Sequence, residues 1–231
     1  MVYKLFIFRH AETFDNSHGI FSGWRDSRLT QKGLSQAQKI AQQLKRYQID
    51  YAFCSHLNRS RKTLEIVLQG HHPLVPIFID DRLIERCYGL LQGENKRKLE
   101  KENPDWYDKI HRGYSLAPPK GESLATVDKR VTSFIEQLKE WLKQNPCNVA
   151  ISCHSNSIRP FRKVFENLNI AQMCKLESPQ DCATIYEIKQ DEPVVKRSRG
   201  NLVKPCWVGV VLSRKVKLAT DPLNLLTVYH F

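Results

Sequence analysis

Short apolar runs alternate with stretches of helical period through most of the chain, and nothing else in the sequence limits its fold as strongly. The runs at 2–8, 51–54, 75–79, 148–153 and 183–188 read as core strands. Between them, apolar residues recur every three or four positions. One helix is expected from a Thr30 cap to about Tyr47, with Leu34, Ala37, Ala41 and Leu44 on one face. A second follows residue 54, with Leu57, Leu64 and Leu68 turned inward. The clearest opens at Ser123, carries Val127, Val131, Phe134, Ile135, Leu138, Trp141 and Leu142, and stops at Asn145-Pro146. Another is expected over 158–168, and the polar stretch 95–114 is helical in parts. The segment 116–121 holds Pro118, Pro119 and Gly121 and reads as a loop. The pattern predicts an α/β fold, a central sheet with helices on both faces.

With 231 residues, 41% of them hydrophobic, the chain can bury one large core. It holds no apolar run of about 18 residues, so no membrane-spanning helix is expected. Residues 1–9 run straight into charge without a small-residue cleavage site and read as a first strand, not a signal peptide. The seven cysteines are odd in number and scattered, with no CxxC pair. That points to the reduced thiols of a cytoplasmic protein and away from a disulfide framework or a structural zinc site. The net charge of +12 favours anionic partners: phosphorylated metabolites, nucleic acid or an acidic membrane surface. Charge alone does not choose among them. After Pro193 the character changes. Lys196, Arg197, Arg199, Lys204, Arg214, Lys215 and Lys217 crowd a segment without an acidic residue, in which 207–212 reads as an edge strand. The expected division is 1–190 as a catalytic domain and 191–231 as a basic C-terminal extension.

Two of the expected strands lead into a histidine. Phe8 is followed by Arg9-His10, and Cys153 by His154. In open α/β sheets reactive groups gather at the carboxyl ends of strands, so these distant histidines can meet there. A third strand, ending at Cys54, leads through Ser55-His56-Leu57-Asn58 to Arg59, and a fourth leads to Glu85. Such a set suits phosphoryl transfer. A neutral imidazole nitrogen attacks phosphorus and holds the phosphoryl group covalently. The group in flight is highly anionic and needs fixed positive donors, a task the planar arginine fork performs well. Arg9, Arg59 and a protonated His154 would form that cradle around His10, and Glu85 would supply a proton to the departing oxygen.

The same residues carry a family resemblance. Arg9-His10-Ala11-Glu12-Thr13 resembles the RHG opening of the histidine phosphatase superfamily, which includes the cofactor-dependent phosphoglycerate mutases. Phe21-Ser22-Gly23-Trp24-Arg25-Asp26, with Leu29-Thr30 and Gly33, resembles the mutase segment FTGWxDxxLTxxG. Glu85-Arg86-Cys87-Tyr88-Gly89, then Leu91-Gln92-Gly93 and Asn95-Lys96, resembles ERxYGxLxGxNK. Pro118-Pro119-Lys120-Gly121-Glu122-Ser123 is similar to the PPxGES loop, and His154-Ser155-Asn156-Ser157-Ile158-Arg159 to HGNSLR. In order and spacing these cover roughly residues 3–189. The resemblance implies a mostly parallel α/β sheet of the phosphoglycerate mutase kind. It makes His10 the phosphorylated nucleophile, with Arg9, Arg59 and His154 on the phosphoryl group, Asn16 nearby, and Glu85 as acid and base. It places Ser22, Gly23, Ser155 and Asn156 at the substrate, and Tyr88, Lys96 and Arg112 on its carboxylate or distal phosphate. It also implies 2,3-bisphosphoglycerate as phosphoryl donor, no metal, and the small oligomers common among these mutases, which admits a homodimer.

Three departures bear on the substrate. Ala11 and Ser155 replace the glycines that follow the two histidines, and His111 stands where mutases often carry an arginine before Arg112. The leading expectation is interconversion of 3-phosphoglycerate and 2-phosphoglycerate in glycolysis and gluconeogenesis. The second is a phosphomonoester phosphatase of the same superfamily. The third, an anion-binding module without catalysis, rests on the basic extension alone; that segment carries no recognised nucleic-acid motif and no helical basic face, so neither nucleic acid nor membrane is expected as a partner.

Overall fold

The computed structural model describes residues 2–71 and 74–189. The basic extension, with its suggested strand at 207–212, lies outside the described residues. In chain order the elements are β1 (Val2–Arg9), α1 (Phe14–Ser17), α2 (Gln31–Leu44), β2 (Tyr51–Cys54), α3 (Asn58–Leu68), β3 (Ile77–Ile79), α4 (Lys96–Glu102), α5 (Pro104–His111), α6 (Leu124–Gln144), β4 (Val149–Cys153), α7 (Ser155–Phe165), α8 (Ile170–Cys174) and β5 (Thr184–Lys189). The five strands form one sheet in the order β3-β2-β4-β1-β5. All neighbours run parallel except β5, which closes one edge antiparallel to β1.

Strand register shows how the two faces are covered. Phe6, Ala150 and Ala52 lie in one row, and Ile7, Ile151 and Phe53 in the next, so the rows point to opposite faces. The Phe6 ring lies 5.1 Å from Tyr47, just past α2. The Phe53 ring lies 6.5 Å from Phe134 of α6, on the other side. Helix α3 packs beside α2, and α7 beside α6. Phe53, Phe134, Phe161 and Ile151 sit in one buried cluster, where truncating Phe134 to alanine would cost about 3–5 kcal/mol.

Caps set several boundaries where the sequence placed them. Thr30 Oγ1 accepts from Gly33 N at 2.9 Å to start α2, and Ser123 Oγ from Thr126 N at 3.1 Å to start α6. Several expected boundaries differ, among them the end of α2, which stops at Leu44 and not near Tyr47. Strand β3 starts at Ile77, because Pro76 has no N–H for the ladder. Helix α7 begins at Ser155, three positions before the expected 158, because the His154 carbonyl already accepts from Ile158 N at 2.9 Å. It ends at Phe165 because Asn167 turns left-handed, with φ +50°.

The parallel strands also build the site. The pairs Arg9↔Cys153 and Cys54↔Ser152 bring the carboxyl ends of β1, β4 and β2 level. The residues that follow them, His10, His154 and Ser55, therefore share one rim. The opening turn of α3 is bolted to the same rim: Ser60 Oγ donates to the Ser152 carbonyl at 2.7 Å, and Ser152 Oγ to the Ser60 carbonyl at 2.9 Å.

Candidate active site

His10 is 2% exposed, and its Nδ1 lies 2.8 Å from the Ala11 carbonyl. A carbonyl only accepts, so this contact places the ring proton on Nδ1. Burial first, then the charges of Arg59 and Arg9, hold the imidazole well below its usual range. The ring is therefore neutral at pH 7 and Nε2 keeps its lone pair. His154 stands beside it, ring centroids 5.1 Å apart. Its Nε2 meets Ser55 Oγ at 2.7 Å, while its Nδ1 is buried without a partner. Burial, followed by Arg59 and His10, also holds His154 well below the usual range. The protonated His154 expected from sequence is thus not what these surroundings favour on their own. A phosphoryl dianion is the opposite charge that would raise its affinity for a proton.

Arg9 and Arg59 are aimed by backbone carbonyls. Arg59 Nη1 donates to Arg25 O and Nη2 to Gly23 O, each at 2.6 Å, and Arg9 Nη1 to Ser178 O at 3.2 Å. The Gly23 carbonyl faces Arg59 on a left-handed turn, φ +54°, and a Cβ there would lie 2.1 Å from Gln92 Oε1. Nε of both arginines is buried and unpartnered, as is Ser22 Oγ. Leaving such a donor unmet costs about 1–3 kcal/mol, so these atoms fit an anionic ligand better than an apolar one. Ala11 adopts no left-handed angle, and its methyl group packs with Ala37 and Ile66, so the departure from glycine is accommodated. Asn16 sits in α1, in a capping box with Thr13.

Glu85 is buried on the same rim. One oxygen, Oε1, accepts from Arg86 N at 2.8 Å and from Asn156 Nδ2 at 3.0 Å; the same Asn156 amide reaches Tyr88 Oη at 3.2 Å. Its backbone is clamped as well, with Trp24 Nε1 donating to Glu85 O at 2.7 Å and Arg130 Nη2 at 3.1 Å. Tyr88 is buried against Phe21, and burial pushes its phenol up, so it stays neutral. The turn after Tyr88 requires Gly89: φ is +53°, and a Cβ would lie 2.0 Å from Pro119 O.

Further out lies a second group of cations. Asn95 caps α4 and makes Lys96 its first residue; the Lys96 ammonium lies 5.4 Å from the centre of the Phe21 ring. Arg112 caps the end of α5 and pairs with Glu177 at 2.6 Å. His111 packs edge-on to Phe21 and is pushed down to about 3 by burial, then by Arg112, Lys96 and Arg159. It is uncharged at neutral pH, as the loss of an arginine there implies.

Residues 5–200 match the histidine phosphatase superfamily, branch 1. The chain belongs to this superfamily of enzymes. It is 31% identical over 209 residues to the 2,3-bisphosphoglycerate-dependent phosphoglycerate mutase of Chlamydia felis (strain Fe/C-56), covering 79% of this chain and 92% of that one. Against the mutase of the same name from Chlamydia pneumoniae it is 29% identical over 213 residues, covering 80% and 93%. Among solved structures, the alpha-ribazole phosphatase from Shigella flexneri superposes with a TM-score of 0.72 at 24% identity, over 94% of this chain and 100% of that one. Phosphoglycerate mutase from Bacillus anthracis str. Sterne superposes with 0.68 at 20% identity, over 87% and 93%. At these identities the two solved structures share the histidine phosphatase fold with this chain.

The structure gathers His10, His154, Arg9, Arg59, Glu85, Asn156 and Tyr88 around one rim, with Ser155 opening α7 beside them and Lys96 and Arg112 further out. Arg159 belongs with this set and was given no role from sequence. It is buried, its Nη2 donates to Leu176 O at 3.2 Å, and its Nε and Nη1 have no partner. Burial lowers its proton affinity, and Tyr88, Glu85 and Glu177 act on its charge. The signal was present: Arg159 lies three residues after Asn156 and four after Ser155, on the same helix face. Among the described residues, no cluster of three or more His, Cys, Asp or Glu side chains is arranged to hold a metal, and no helix is long and apolar enough to cross a membrane.

Proposed function

We propose that the protein transfers phosphoryl groups through a phosphohistidine on His10, interconverting 3-phosphoglycerate and 2-phosphoglycerate. The observation that carries this reading is the His10 ring. It is neutral, its proton is committed to the Ala11 carbonyl, and its Nε2 is left bare beside buried nitrogens of Arg9, Arg59 and His154 that have no partner of their own. A bisphosphorylated ligand fits this donor set, because unpartnered buried nitrogens occur both beside His10 and on Arg159, next to the outer cations. The chemistry that 2,3-bisphosphoglycerate supplies when bound is the phosphoryl group that primes His10.

The residues then divide the work. His10 Nε2 is the nucleophile. Arg9, Arg59, the His154 Nδ1 proton and Asn16 hold the equatorial phosphoryl oxygens, where each well-placed donor is worth on the order of 10²–10³ in rate. Glu85, steadied through Oε1, gives and takes the proton of the glycerate oxygen. Ser22, Gly23, Ser155 and Asn156 line the sugar-acid backbone, and Tyr88, Lys96, Arg112 and Arg159 hold the carboxylate and the outer phosphate. The enzyme would act in glycolysis and gluconeogenesis as a homodimer. Free thiols at Cys54, Cys87, Cys147, Cys153 and Cys174 support a cytoplasmic setting.

A second reading has its own support. His111 is uncharged and Arg112 is occupied by Glu177, which weakens the grip on an outer anion and suits a phosphomonoester phosphatase. Incubation with 3-phosphoglycerate, with and without a trace of 2,3-bisphosphoglycerate, separates the two. Conversion to 2-phosphoglycerate that depends on the bisphosphate is the expected result. Free phosphate as the main product would replace the mutase with the phosphatase.

A further inference from the structure

We infer that Gln180 is a positioning residue of the phosphoryl site, fixing which end of the Asn16 carboxamide is offered to the transferring group; the inference rests on the His10 reading above. Gln180 lies in the loop between α8 and β5, 170 positions from His10 in sequence. Its Nε2 has two hydrogens and two acceptors: the His10 carbonyl at 3.2 Å and Asn16 Oδ1 at 2.9 Å. One amide group thus ties the backbone of the nucleophile to a neighbour proposed to bind the same phosphoryl group.

The consequence follows from counting donors and acceptors on Asn16. Its Oδ1 already accepts from Thr13 N at 3.2 Å within the capping box of α1. The Gln180 donor brings a second bond to the same oxygen, and an amide oxygen has two lone pairs. Both are spent, so the oxygen is turned toward Thr13 and Gln180, and the Nδ2 hydrogens are left for an anion. The opposite rotamer would offer oxygen to the phosphoryl group and repel it. Thr13 alone favours the productive orientation with one bond; Gln180 doubles that preference.

The loop is well placed to hold this geometry. Ser178, two residues earlier, accepts from Arg9 Nη1, so one short segment touches Arg9, His10 and Asn16. Its far end is fastened to α2, where Gln43 Nε2 donates to Ala183 O at 3.0 Å and Ala183 N to Gln43 Oε1 at 2.8 Å. Gln180 is held from both sides without itself being deeply buried, which makes its substitution a fair test of position and not of folding.

Orthovanadate, a phosphoryl mimic independent of the substrate's carbon skeleton, is the probe. Its dissociation constant is measured for the unaltered protein, Asn16→Ala, Gln180→Leu and the double variant, with Gln180→Glu as a second variant that keeps the shape and loses the donor. Gln180→Leu and Gln180→Glu are expected to weaken binding about tenfold, the range of one hydrogen bond near a charge. In the Asn16→Ala background, Gln180→Leu is expected to add less than about twofold, because its effect runs through Asn16. Unchanged affinity, or an equal loss in both backgrounds, would overturn the inference. Failure of the unaltered protein to bind orthovanadate, or binding undiminished in His10→Ala, would overturn the His10 reading and this inference with it.

Discussion

Around His10 the charged groups are out of water: Arg59 is 1% exposed and His154 0%. Around Arg112 they meet it. The Arg112 side chain is 39% exposed and its partner Glu177 69%. The inner group is held by strand ends, by α3 bolted to β4, and by backbone carbonyls that aim each guanidinium. The outer group hangs on two short helices and an ion pair at the surface. Low dielectric magnifies each inner interaction and makes an error there expensive, whereas solvent screens the outer one and leaves room for change. Two of the three departures follow that division. Ala11, in the inner group, is absorbed by packing, while His111, in the outer group, removes a charge. On the proposed function, the inner group would set the chemistry and the outer one the choice of substrate.

Each end can be tested by breaking it. Glu85→Gln keeps the hydrogen bonds to Oε1 and removes the transferable proton; kcat is expected to fall on the order of 10²–10⁴-fold with little change in orthovanadate affinity. A fall in affinity matching the fall in rate would mean that Glu85 binds and does not transfer protons. Arg159→Leu removes a buried charge on α7, next to Arg112 and His111 of the outer group. KM for 3-phosphoglycerate is expected to rise about tenfold or more while orthovanadate binding stays near its original value. If both decline together, the two ends are not separable in the way described.

Acid should reveal the inner group through stability. His10, His154 and, further out, His111 are held below the ordinary imidazole value of 6.5 in the folded protein. The unfolded chain then binds protons that the folded one does not, so stability is fully present above about 6.5 and is lost as pH falls below it. Thermal melts from about pH 8 to 5.5 should show Tm falling in the lower half of the range, and less steeply in His154→Gln. A flat profile would mean that the imidazoles are not held neutral. The smallest effect belongs to Glu177→Gln. Freeing Arg112 from an exposed ion pair is expected to lower KM for 3-phosphoglycerate about threefold, within the modest energy of such pairs.

Local pattern made much of this legible in the sequence. Strand runs followed by histidine, the Thr30 and Ser123 caps and the spacing of the long helix are short-range signals, and they placed His10, His154 and α6 correctly. Glu85 follows from the strand that leads to it, whereas Asn156 carries no such pattern singly and comes into view through the order of motifs. Gln180 left no local trace, because its role depends on two acceptors at the far end of the chain. Arg159 stands in the same motif as Asn156, but the face the two share follows only from α7 beginning at Ser155. The neutrality of His154 is likewise a property of burial and neighbouring charge, which spacing does not record.

The central claim is that His10 carries the phosphoryl group, and direct trapping tests it most simply. The protein is mixed with 2,3-bisphosphoglycerate, quenched in base, digested and mapped by mass spectrometry. The account predicts one acid-labile phosphoryl group on the peptide containing His10, absent in His10→Ala. A phosphoryl group on His154 instead, or none on any histidine while phosphate is still transferred, would contradict it.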